Sequence, residues 1–174
     1  MQPESFNLNK MIREIYSIFD SHPPNNNKLN LNIPLTDQQS DIFTDYFKIQ
    51  QLLRYLLGNA LFYNQNGLVE FGYKLINNEI QFFVNYRGES SHKEQEMNKI
   101  QSISSKTENA GLSVMEFGHS LAKEVSKLLD GKMDYHPEER NRTRYFLSIP
   151  YIAGKSKKEK LRERNENGNN HHMR

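Results

Sequence analysis

The sequence predicts an α+β fold, a two-layer α/β sandwich with three main helices on one face of a mixed sheet of about five strands. Three observations predict it. The strand-like runs come mainly as hairpin pairs, the helical runs stand between those pairs, and the strict βαβα alternation of a doubly wound sheet is missing. At 174 residues, 36% hydrophobic and 25% charged, the chain can bury one core but is short for two.

The elements follow in order. Asn9 can cap a helix whose apolar residues Met11, Ile12, Ile15, Ile18 and Phe19 fall at helical spacing, and Pro23-Pro24 ends it. Leu29, Leu31 and Ile33 alternate with Asn30 and Asn32, a half-buried strand stopped at Pro34. Asp45 is the next capping candidate. After it Ile49, Leu52, Leu53, Leu56, Leu57 and Ala60 form a broad stripe at helical period, ending near Asn64. The runs Leu68 to Ile76 and Glu79 to Asn85 are strands joined by Asn77-Asn78, a hairpin signal. The polar stretch from Tyr86 to Asn109 reads as a long, mobile loop. A third helix spans Leu112 to Asp130, with Gly131 where a left-handed C-terminal glycine belongs. Strands around Lys132 to Tyr135 and Arg144 to Ile149 complete the domain, residues 1–152.

Residues 153–174 form a basic tail. From Lys155 onward seven bases face three acids, so the tail carries +4 and the body −2. Its near-absence of apolar residues predicts disorder, and a solvated terminus accounts for it better than a nucleic-acid contact does. His171 and His172 receive no metal role.

Several chemistries are excluded by residue type. Without cysteine there is no disulfide, thiolate nucleophile or cysteine zinc site, which suits a reducing cytosol. No apolar run approaches the ~18 residues of a membrane span, and MQPESFNLNK is not a secretory leader. Neither a G-x-x-x-x-G-K-S/T loop nor a G-x-S-x-G elbow is present. His22, His92, His119 and His136 are too scattered to form a ready metal pair.

The segment QQLLRYLLGNALFYNQNG, Gln50 to Gly67, places Asn59 on a leucine-rich helix, and an amide oxygen there suits magnesium, a hard cation. Through Leu56, Leu57, Asn59, Ala60, Tyr63 and Gly67 the segment resembles the N-box, N-L-L-x-N-A-x-K-F/Y-T-x-x-G, of the histidine kinase, gyrase and Hsp90 ATPases. Asp45 stands at the usual distance before it. The opening SFNLNKMIREIY is similar to the F-x-L-x-x-L-I-x-E-I start of a sensor histidine kinase ATP-binding domain. GHSLAKEVSKLLDGKM, Gly118 to Met133, resembles the G2-box helix, and RYFLSIPY the closing strand. The resemblance runs from about Phe6 to Tyr151.

This resemblance implies a Bergerat-type fold and a part in two-component signalling. ATP would lie between the N-box helix and a lid over Tyr86 to Asn109, with magnesium on Asn59. By position the nucleotide-binding residues are Asn59, Tyr63, Tyr86, Gly88, Gly118 and Lys123, and no catalytic residue is carried over. The implied partners are a histidine-containing dimerisation domain or a response regulator, since no phosphoacceptor segment precedes Phe6.

The departures fall on the nucleotide-binding positions. Tyr55 replaces the usual Asn or Glu and Phe62 the usual Lys of the N-box. The G1 box, V-x-D-x-G-x-G, reads VNYRGES from Val84, so that Tyr86 stands for the adenine-binding Asp, Ser90 for the second Gly, and Gly88 alone remains. Glu116 occupies the first glycine of the G2 box, where a carboxylate would repel phosphate. The expectation is a degenerate ATP-binding-type domain acting as a signalling or regulatory module. A working kinase domain that phosphorylates a histidine elsewhere, and an unrelated α+β interaction domain, are the alternatives.

Overall fold

A computed structural model describes residues 2–90, 114–138 and 142–155. Among them the elements run β1 (Glu4–Asn7), α1 (Leu8–Asp20), a 3-10 turn (Pro24–Asn26), β2 (Lys28–Asn32), β3 (Asp41–Thr44), α2 (Tyr46–Tyr63), β4 (Asn64–Ile76), β5 (Glu79–Ser90), α3 (Val114–Leu128), β6 (Lys132–Glu138) and β7 (Arg142–Pro150). The main sheet has the order β2-β4-β5-β7-β6, with only β2 and β4 parallel. This is the expected α+β arrangement of three main helices and a five-stranded mixed sheet.

One face of the sheet makes the core. Val69, Phe71 and Tyr73 of β4, Ile80, Phe82, Val84 and Tyr86 of β5, and Tyr145, Leu147 and Ile149 of β7 share one cluster with the buried faces of the helices. Leu52, Leu53, Leu56, Leu57 and Leu61 of α2 are all buried against it. Each such leucine contributes about 1.5–3 kcal/mol on leaving water, so α2 is the main anchor of the helical layer.

The reading that Asn9 caps α1 is corrected. The chain leaves β1 at Asn7, whose side-chain oxygen accepts from the Lys10 amide at 3.0 Å, so Asn7 is the cap. Asn9 lies inside the helix, fully buried, where it donates to Leu35 O (2.8 Å) and accepts from the Tyr73 hydroxyl (2.7 Å). Gly131 is corrected as well. Asp130, at φ 53°, takes the left-handed position after α3, and the amides of Asp130 and Gly131 close onto Lys127 O and Ser126 O. Gly131 is needed for space instead, because a Cβ there would sit 2.4 Å from Ser148 O.

The Asn77-Asn78 hairpin has both residues at positive φ, 50° and 63°, as a type I′ turn requires. β5 continues to Ser90, so Tyr86 to Ser90 is strand where a loop was expected, and the rest of the expected lid and its mobility lie outside the described residues. β1 and β3, which the sequence does not signal, form a small antiparallel sheet. The chain after β7 is stitched to it, with Phe43 N donating to Ile152 O, Gly154 N to Asp41 O, and Lys155 N to the Ser5 hydroxyl.

Asp45 caps α2 as expected. Burial pushes its carboxyl upward, but the Lys48 ammonium at 2.8 Å and the amides of Gln2 and Lys48 outweigh this and hold the pKa at about 2, against 3.8 ordinarily. A lowered folded-state pKa stabilises above the unfolded value, and that stability fades as pH falls from about 4 through 2. Urea midpoints over this window should show Asp45 supplying about 2 kcal/mol. Asp45→Asn should flatten that part of the profile, and an unchanged slope would remove Asp45 from the account.

Candidate functional site

α2 turns one flank toward α3. Gln51, Leu52 and Tyr55, one turn of α2, face Leu121, Ala122 and Val125, one turn of α3, across a cleft holding a cavity of about 260 Å³. Asn59 follows Tyr55 by one further turn, which puts it on the same flank, and it is half-buried. Phe62, three residues on, is exposed. Tyr63 is the last residue of α2, Gly88 lies in β5 and Gly118 in α3, while Lys123 of α3 is exposed.

Beside this cleft four tyrosines converge from four elements. Tyr86 alternates inward on β5 with Ile80, Phe82 and Val84, so its ring enters the core and is only 5% exposed. Its centroid lies 6.3 Å from that of Tyr145 on β7, which is 5.0 Å from Tyr135 on β6. Burial, and then the neighbouring phenols Tyr86, Tyr135 and Tyr55, push the Tyr145 hydroxyl far above the ordinary phenol range. Register places Tyr86 opposite the buried Thr143. Of the residues chosen from the sequence, then, Tyr86 belongs to the tyrosine cluster, and Asn59 lies one helical turn beyond the cleft lining. Tyr135, Tyr145 and Thr143 were missed. Their signal was the inward alternation of the last two strands, which the sequence reading used for fold alone.

A nucleotide and magnesium find little among these side chains. An adenine amine needs an acceptor, and at the position matched to the family's Asp a phenol ring fills the core. The triphosphate needs cations or free backbone amides, yet among the described residues no charged side chain lines the cavity. Among the described residues no three His, Asp or Glu side chains gather around a possible cation. Of the residues chosen from the sequence, Asn59 keeps an oxygen type suited to magnesium.

No family model matches the sequence, and no curated protein matches it. Solved structures do match the fold. The nucleotide-free catalytic domain of the histidine kinase ThkA superposes over 89% of this chain and all of its own, with TM-score 0.65 and 19% identity. Full-length ShkA in complex with AMPPNP matches over 90% of this chain and 32% of its own, with TM-score 0.67 and 13% identity. ThkA in complex with the response regulator TrrA matches over 85% and 41%, with TM-score 0.62 and 20% identity. Among the described residues no helix is long and apolar enough to cross a membrane. The chain has the fold of the catalytic domain of two-component histidine kinases.

Proposed function

We propose that this is a degenerate histidine-kinase-type catalytic domain that no longer binds ATP usefully and works as a docking or regulatory module in cytoplasmic two-component signalling. The observation that carries the reading is Tyr86, buried against Tyr145 in the tyrosine cluster where the resemblance calls for an adenine-binding carboxylate. Its partners are a histidine-containing dimerisation domain or a response regulator, the class of protein bound to ThkA in one structural neighbour. The contact does not need ATP chemistry, so it survives loss of the nucleotide site.

A second reading has one observation in its favour. Asn59 keeps its residue type and is half-buried one helical turn beyond Tyr55, as a magnesium ligand of a working kinase would be. Incubation of the full chain with magnesium and γ-labelled ATP, beside a separate histidine-bearing dimerisation domain, separates the two. Absence of label transfer together with stable complex formation is expected. Label on the histidine would replace the degenerate reading with the working kinase.

A further inference from the structure

The cavity between α2 and α3 has a lining that suits a different ligand from a nucleotide. Leu52, Tyr55, Leu121, Ala122 and Val125 give it apolar walls, Tyr55 through its ring because its hydroxyl is buried, and Gln51 supplies a polar group. A phosphate or carboxylate entering it would lose hydration and meet no cation among the described residues. A neutral apolar ring would lose nothing of the kind. Size points the same way, because an apolar cavity of ~150 Å³ accommodates benzene and this one, at about 260 Å³, has room for a second fused ring. A partner helix would need a longer trough than one turn from each wall.

The mouth supports this. Leu121, a wall residue, is 55% exposed, and Leu128, two turns further along α3, is exposed on the same side. Leucine at such a rim is surface that a bound ring would take out of water.

We propose that the α2–α3 cleft binds a neutral aromatic molecule of one or two rings bearing one hydrogen-bonding group, of the indole or phenol class. The Gln51 amide pairs with that group, and the apolar walls hold the ring. This goes beyond the reading of Tyr86, since only Tyr55 is common to the two sets of side chains.

The test uses the full chain and indole. The protein has no tryptophan, so indole emission is read without background. Saturable binding is expected, with amide shifts confined to α2 and α3. Leu121→Glu puts a carboxylate at an exposed position and should weaken indole at least about tenfold with the melting temperature held. Val125→Phe should weaken it similarly by filling the cavity, and if it folds poorly the Leu121 variant carries the test. No saturation up to the solubility of indole, or saturation unchanged by both variants, would overturn the proposal. So would release of bound indole by magnesium–ATP. ATP that binds while indole stays in place would instead contradict only the nucleotide-blind reading above.

Discussion

Asn27→Ala is expected to remove about 3–5 kcal/mol of stability, the largest loss from any single polar side chain described. Asn27 is 5% exposed, and its amide donates to Pro24 O (2.8 Å), Leu61 O (2.8 Å) and Asn64 O (3.1 Å). Its oxygen accepts from the Asn64 amide (2.9 Å) and the Gly67 backbone N–H (3.3 Å). Leu61 O is among the last carbonyls of α2, which have no partner inside the helix. Truncation would strand several of these groups away from water, at about 1–3 kcal/mol each where no water enters. Asn25, which also donates to Leu61 O, would absorb part of the loss. For a domain of this length the change corresponds to a fall of roughly 10 °C in melting temperature. Asn27→Asp, which keeps the acceptor and loses the donors, should be nearly as damaging. A loss below about 1 kcal/mol would mean that water replaces the amide.

Gly72→Ala should cost about 2–4 kcal/mol through a backbone collision. A Cβ at Gly72 would stand 1.9 Å from Asn32 O and 2.8 Å from Asn32 C, so the end of β2 has to move. Because β2 is an edge strand paired only to β4, it would peel rather than adjust. Gly58→Ala is the matched control. It lies inside α2, where the added methyl meets the Phe19 ring at an ordinary 3.9 Å, and should gain about 0.5–1 kcal/mol from helix propensity. Chemical denaturation should therefore show opposite signs for the two substitutions, and equal losses would contradict the packing described.

The strongest periodic signals were legible in the sequence. The leucine stripe of α2 and the Asn77-Asn78 hairpin stand as read, because each is a local pattern with one physical solution. The errors came where two local solutions compete. Both Asn7 and Asn9 can cap a helix, and it takes distant partners, Leu35 O (2.8 Å) and the Tyr73 hydroxyl (2.7 Å), to hold Asn9 in the core. Asp130 outbids Gly131 for the left-handed position because Gly131 has to pass close to Ser148 O. β1 and β3 are four residues each and pair across the chain, below any periodicity. At the site, the substitution of Tyr86 was visible in the motif. Tyr55 was visible too, as a departure in the N-box, but its convergence with Tyr86 and Tyr135 on Tyr145 was not, since β6, β7 and α2 meet there only after folding.

The most direct measurement is calorimetric titration of magnesium–ATP into the wild-type chain and into Tyr86→Asp. A hydrogen bond to a charged acceptor is worth about 1.5–3 kcal/mol, so restoring the carboxylate should tighten binding by one to two orders of magnitude. The wild type, with a phenol in the slot and no cation lining the cavity among the described residues, should give no heat of binding into the millimolar range. The variant should show weak, measurable binding. Micromolar affinity in the wild type would contradict the account and make this domain a working kinase.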